Sequence, residues 1–317
     1  MEYTKKEIKD VFAGEHVSPI LPYESLDGDK RMMEAIIEGN GHISLSGVQP
    51  KFSMVTENGK LRLARKDERG TYILKPAPTA MFILDREFCP YNEYLTMQLA
   101  NHIYGIDTAK CALCYFQNGK AAYITRRFDI SPDGGKYAQE DFASLAGLNK
   151  DKSGSDYKYD ILSYEDCADI IHNYVRADVV EVLKFFRLVL FNYITLNDDA
   201  HLKNFSLIGR KDKDYVLSPA YDLMNTSLHL SQSGIFALRK GLFKEETLID
   251  DTHSITRASF KEFGLRIGLN ERAVERELDR FAREYPKVGE MIMSSGLPEN
   301  LAGVYLSSYN YRRFTIQ

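Results

Sequence analysis

The chain has 317 residues, about twice the length of a typical domain, with 44% hydrophobic and 27% charged residues but only 21 glycines and 10 prolines, which excludes collagen-like and low-complexity chains. Its formal charge of -4 is the wrong sign for a broad surface that grips a nucleic-acid backbone. The N-terminus carries no apolar run of signal-peptide length, and the most apolar stretch, residues 179–197, is interrupted by Glu181, Lys184, Arg187 and Asn192, so a cytoplasmic protein is expected.

Residues 31–38 read as a short helix. Strands follow at 51–55, 61–65 and 72–76, with turn chemistry at Asn58-Gly59 and Arg69-Gly70, the pattern of a meander. Residues 92–103 carry Leu95, Leu99 and Ile103 at four-residue steps and predict a helix. Two more strands, 112–116 and 121–128, flank Asn118-Gly119-Lys120. Cys111 and Cys114 form a C-x-x-C here, but positions three apart on a strand face opposite ways and cannot grip one metal ion. With Cys89 and Cys167 they are expected as ordinary buried thiols.

The segment 131–141 breaks the strand pattern, and helices are predicted at about 164–173, 178–196, 259–267 and 271–285. The second of these is apolar nearly all round and reads as a core helix. One strand pair, 205–209 and 215–220, sits among them around the hydrophilic turn 210–214. The expected fold class is α+β: a small β-rich lobe with one bracing helix over residues 1–130, then a larger helical lobe over 131–317.

The most informative stretch is Asn197-Asp198-Asp199-Ala200-His201-Leu202-Lys203-Asn204, at the exit of the core helix and just before a strand. Carboxylates concentrated there need partners. Asp222 follows the second strand of the hairpin, and a hairpin returning on itself brings Asn204 and Asp222 to one end. In phosphoryl transfer a carboxylate orients the attacking hydroxyl, while an amide five positions on and an aspartate beyond the following hairpin hold Mg²⁺ against nucleotide phosphates. Asp199, Asn204 and Asp222 stand in that order. Upstream, Lys75 closes a strand where an ammonium reaches phosphates, and Glu93 in the next helix is placed to pair with it. Residues 43–51 read as a polar loop suited to covering phosphates with backbone amides. Each residue also has an ordinary role: Asp199 and Asn204 as turn caps, Asp222 in an Asx turn, His201 as a hydrogen-bonded loop histidine. The ordered set, each member on the element the chemistry needs, carries the phosphoryl-transfer reading.

The segments SLSGVQPK, YILKP, NEYLTMQLA, RRFD, QEDFASLAG, NDDAHLKNFSLI and LSPAYDL, in that order between about residues 43 and 225, resemble the HipA family of bacterial serine/threonine kinases, the toxins of toxin–antitoxin pairs. The resemblance implies a bilobed protein-kinase-like fold that uses ATP and Mg²⁺. It implies Asp199 as catalytic base, Asn204 and Asp222 as Mg²⁺ ligands, and Lys75 with its partner Glu93 on the ATP phosphates. A hinge is implied at residues 126–128, with Arg126 offering backbone groups to adenine and Phe128, Gln139 and Tyr221 lining the base pocket. Ser44 occupies the autophosphorylation position, and Ser46 is a second hydroxyl in the same loop. The loop motif starts too early in the chain for the N-terminal subdomain of full-length members. The chain therefore resembles the short HipT type, in which a separate HipS-like protein replaces that subdomain and a HipB-like protein is the DNA-binding antitoxin. The implied substrate is an aminoacyl-tRNA synthetase. Readings from other classes stay open: a non-catalytic kinase-like binding module in a repressor complex, and a small-molecule kinase.

Overall fold

Alternating apolar residues build the first half of the chain into a sheet. The computed structural model describes residues 2–37, 41–44, 49–131, 133–209, 214–231, 233–245 and 255–317. After α1 (Lys5–Asp10) and α2 (Lys30–Ile37) come β1 (Gly41–Ser44), β2 (Gln49–Glu57), β3 (Lys60–Leu63), β4 (Tyr72–Pro76), α3 (Cys89–His102), β5 (Cys111–Tyr115) and β6 (Ala121–Arg126). The strands form one antiparallel sheet in the order β1-β2-β4-β6-β5, with β3 also paired to β2. Asn58 and Gly59 both have positive φ, 51° and 70°, the mirror-image turn that an Asn-Gly pair favours between antiparallel strands.

Period-two alternation assigns the faces of this sheet. Phe52, Met54, Leu74, Ala112, Cys114, Ala122 and Ile124 pack with Phe12, Leu21 and Tyr23 into one core, whereas Cys111 and Tyr123 join Leu95 and Leu99 of α3 in the other. Cys111 and Cys114 thus lie on opposite faces, and the four cysteines are free and buried.

The second half contains β7 (Gln139–Asp141), α4 (Phe142–Leu145), α5 (Lys150–Ser153), α6 (Tyr157–Asp160), α7 (Tyr164–Tyr174) and α8 (Asp178–Ile194). It continues with β8 (Ser206–Gly209), β9 (Tyr215–Leu217), α9 (Arg257–Arg266), α10 (Glu271–Ala282), α11 (Pro286–Met293) and α12 (Glu299–Thr315). Val182, Phe185, Phe186, Leu188, Val189, Leu190, Phe191 and Ile194 of α8 are all buried, with α7, α10, α12 and β9 packed around them. The charges that interrupt this apolar run have partners. Glu181 accepts the Leu217 amide at 2.9 Å and Lys184 at 2.7 Å, and Arg187 pairs with Glu277 at 2.7 Å, as buried polar groups require. Among the described residues no helix is long and apolar enough to cross a membrane.

The structure corrects the sequence reading at several points. The second sheet has the strands β7-β8-β9 rather than one hairpin; β7 is a short polar Gln-Glu-Asp strand, with no apolar alternation to announce it. Residues 41–44 are strand rather than loop, with Ser44 opposite Gln49; residues 45–48, and 210–213 of the expected turn, lie outside the described residues. Helices also continue beyond Tyr285. In α12, Tyr305 meets Thr96 of α3 hydroxyl to hydroxyl at 2.9 Å.

Gly264 on α9 sits where a Cβ would come within 2.6 Å of Val274 Cγ2 and 3.2 Å of the Phe186 ring. Gly264→Ala is expected to destabilise the protein by about 1–3 kcal/mol through overpacking, read as a lower urea midpoint at unchanged slope.

Candidate active site

The alternation that buries Phe52 and Leu74 turns Lys51 and Lys75 to the other face of the small sheet. Phe52 pairs with Leu74 across β2 and β4, so the next residues, Lys51 and Lys75, stand side by side, a repulsive arrangement for like charges. Asp222 resolves it. Lys51 Nζ lies 3.1 Å from Asp222 Oδ2, and Lys75 Nζ contacts Asp222 Oδ1. Lys75 also donates to Glu93 Oε1 at 2.5 Å, and both members of that pair are only 3% exposed.

Burial opposes the Lys75 charge, but Asp222 and Glu93 outweigh it and raise the ammonium's pKa. Burial opposes the Asp222 carboxylate too, and Lys51 and Lys75 override it, holding Asp222 well below the usual carboxylate range. Glu93 moves the other way: burial raises it, Lys75 offsets that in part, and Asp222 adds repulsion. Asp222 has a left-handed backbone, φ 56°, a conformation that Asp adopts more readily than most non-glycine residues. Beside Glu93, fully buried Asn92 donates to the Asn225 carbonyl at 2.8 Å and accepts the Asn225 amide at 3.1 Å. This reciprocal pair ties the helix that carries Glu93 to the segment that carries Asp222.

The loop after α8 separates two adjacent aspartates. Asp198 is turned inward, accepting from Thr226 Oγ1 and from the Gly234 amide at 2.7 Å, and burial raises its pKa. Asp199 accepts the Tyr159 hydroxyl at 2.7 Å and lies 3.9 Å from His201 Nε2. Asn204 Nδ2 donates to the Asp199 carbonyl at 3.1 Å, which closes the five-residue spacing and makes the amide oxygen the atom that could take a metal. Asp199, Lys75, Glu93 and Asp222 line one small recess with Gln49 and Asn197; Asn204 is not among its lining residues.

Lys75 and Asp222 also border a second cavity of about 220 Å³, lined by Lys51, Arg126, Phe128, Gln139 and Tyr221 among others. Phe128 and Tyr221 have ring centroids 5.6 Å apart. The Tyr221 hydroxyl donates to the Lys203 carbonyl at 2.9 Å, and Gln139 Nε2 to Ser206 Oγ at 3.0 Å. The expectation for Arg126 needs correction: its amide donates to the Lys110 carbonyl at 2.8 Å, as the Arg127 amide does to Thr71 at 2.9 Å. Only the Arg126 carbonyl is left for an adenine contact. Ser44 ends β1, and Ser46 lies outside the described residues. Sequence reasoning missed Lys51, Lys158 and Tyr159. The alternation of β2 against β4 signals Lys51, whereas nothing local signals the two residues of α6.

Among the described residues no group of three His, Cys, Asp or Glu side chains is placed to hold a metal ion by itself. One carboxylate and one amide oxygen suit Mg²⁺, which takes one or two protein ligands and completes its shell with phosphate oxygens and water. The donor types of Asp222 and Asn204 therefore suit a metal that arrives with a nucleotide.

Fold and site together define a mixed helix-and-strand body of protein-kinase-like fold. The chain belongs to the HipA-like C-terminal domain family, which it matches over residues 43–288. It is 27% identical over 320 aligned residues to a Haemophilus influenzae protein named "Putative kinase", spanning 94% of this chain and 87% of that protein. It is 24% identical over 275 residues to the serine/threonine-protein kinase toxin HipA of Shewanella oneidensis, spanning 81% of this chain and 59% of the toxin. A chain from the Shewanella oneidensis MR-1 complex of HipA, HipB and operator DNA superposes with a TM-score of 0.67 at 20% identity, covering 90% of this chain and 70% of that one. The Helicobacter pylori proinflammatory kinase CtkA superposes with a TM-score of 0.51 at 16% identity, covering 87% and 92%.

Lys75→Met leaves Glu93 and Asp222 without their shared cation, and chemical denaturation is expected to show a loss of about 3–5 kcal/mol. Burial pushes the His201 imidazole down to about 4, so below about pH 6.5 the unfolded chain binds a proton that the folded one excludes. The stability this provides is complete above pH 6.5 and is lost as pH falls toward 4. Between pH 6.5 and 4.5 the wild type is expected to lose stability faster than His201→Gln, by up to about 1.4 kcal/mol per pH unit.

Proposed function

We propose that this protein is an ATP- and Mg²⁺-dependent serine/threonine protein kinase and the toxin of a toxin–antitoxin system. The observation that carries the reading is the meeting of Lys75, Glu93, Asp199 and Asp222 around one recess, continuous through Lys75 and Asp222 with the cavity of Phe128, Gln139 and Tyr221. A complete set of base, amide, aspartate and lysine favours an enzyme over a non-catalytic binding module. In this reading residues 1–130 and 131–317 are the lobes, with the hinge at 126–128.

Asp199 accepts the proton of the substrate hydroxyl while its oxygen bonds the terminal phosphorus and the bond to the ADP oxygen breaks. Bound Mg²⁺ supplies neutralisation of phosphate charge, and Asp222 with the Asn204 amide oxygen would hold it. Lys75, aimed by Glu93, and Lys51 bear on the phosphates; Asp222 releases its lysines as the nucleotide arrives. The Arg126 carbonyl accepts from the adenine amino group, between Phe128 and Tyr221.

By kinship with the HipA toxins, the substrate is an aminoacyl-tRNA synthetase. A HipB-like antitoxin carries the DNA contact, in keeping with the chain's own charge of -4, and a HipS-like small protein completes the short-form system. Autophosphorylation at Ser44 or Ser46 silences the kinase, because both serines stand within seven residues of Lys51 in the chain and the modification adds nearly two negative charges beside the phosphate-binding lysines.

With Mg²⁺ and γ-labelled ATP the wild type is expected to label Ser44 or Ser46, mapped by mass spectrometry. Asp199→Asn is expected to lower transfer about 10²–10⁴-fold with an unchanged melting temperature. Growth arrest by Asp199→Asn equal to that of the wild type contradicts the kinase mechanism.

A further inference from the structure

Lys158 belongs to α6, outside every motif that points to phosphoryl transfer, yet the fold brings it to the base. Its Nζ lies 3.0 Å from His201 Nε2 and 4.9 Å from the Tyr159 ring centroid. His201 Nε2 is in turn 3.9 Å from Asp199 Oδ1, the oxygen that Tyr159 holds. The two residues of α6 therefore flank the carboxylate, one through its hydroxyl and one through an imidazole.

The neighbouring lysines have carboxylate partners: Lys51 has Asp222 at 3.1 Å, and Lys203 has Asp141 at 3.0 Å. Lys158 is half-buried and donates to a neutral ring instead, a weak counter-group for a desolvated ammonium. Burial lowers its pKa, Asp199 raises it, and Lys203 and Lys51 lower it further. Through His201, Lys158 stands one contact from the base, whereas the Lys51 and Lys203 ammonium groups are held on Asp222 and Asp141. An ammonium has three protons to donate, and His201 takes one.

We propose that Lys158 is a catalytic residue that binds the phosphoryl group during its transfer. This rests on the kinase reading. His201 aims the ammonium; as the substrate oxygen bonds phosphorus and ADP leaves, Lys158 keeps its proton and stabilises charge on the oxygens that stay with phosphorus. Delivery from α6 gives the site a cation that the loop from Asn197 to Asn204 does not itself supply beside Asp199, since Lys203 is engaged by Asp141.

The test uses single-turnover transfer from γ-labelled ATP by the full chain. Lys158→Met is expected to lower the rate about 10²–10³-fold, with KM for Mg·ATP within about twofold and an unchanged melting temperature. Lys158→Cys adds a thiol to a chain whose own cysteines are buried. Alkylation with 2-bromoethylamine, which restores an ammonium at nearly the original reach, is expected to recover transfer, whereas the neutral adduct of iodoacetamide stays slow. Wild-type rates in Lys158→Met, or equal recovery with both adducts, overturn the proposal while leaving the kinase reading intact. A wild type that transfers no phosphoryl group overturns both.

Discussion

Lys51 and Lys75 project from neighbouring strands onto one carboxylate, Asp222, and Lys75 is shared with the buried Glu93. Two ammonium groups and two carboxylates balance, so the tetrad is close to neutral by itself. Such a cluster is costly to desolvate and is poor evidence for stability. Its value lies in what happens when a polyanion approaches. In the proposed kinase reading, phosphate oxygens would compete with Asp222 for the lysines, and the displaced carboxylate would be available to a divalent cation. On that reading, the residues that hold the cleft together are also the ones that would bind its ligands.

The rest of the structure fixes where these groups stand. Asn92 and Asn225 clasp each other through backbone and side chain, so the helix with Glu93 and the segment with Asp222 are held in fixed relation. Thr96, one turn further along α3, meets Tyr305 of α12, which extends the brace to the C-terminal helix. Adjacent aspartates divide the work at the end of α8. Asp198 binds Thr226 and the Gly234 amide and anchors the loop from within, while Asp199 meets Tyr159 at the recess. Tyr159 of α6 orients the Asp199 carboxylate, as the proposed role of general base would require.

Much of this was legible in the sequence because it rests on periodicity and order. The apolar run of α8, the Asn-Gly turn and the alternation of β4 and β6 each follow from local rules, and Asp199, Lys75 and Asp222 stand out by the elements they end or begin. The remainder depends on contacts between distant segments. β7 exists because Gln139–Asp141 finds the edge of β8, not because Gln-Glu-Asp favours a strand. The Arg126 amide is lost to a ligand because Lys110 happens to lie opposite it. Tyr159 and Lys158 sit forty or more residues before their partners, in a short polar helix that no pattern distinguishes from an ordinary surface turn.

Binding of ATP with and without Mg²⁺, measured by calorimetry on the wild type and Asp222→Asn, tests the central role of Asp222 most directly. Mg²⁺ is expected to tighten ATP binding to the wild type at least about tenfold and to have little effect on Asp222→Asn, whose amide neither pairs with the lysines as a charge nor holds the metal strongly. Equal affinity with and without Mg²⁺ in the wild type, or an unchanged Mg²⁺ dependence in Asp222→Asn, would contradict that role.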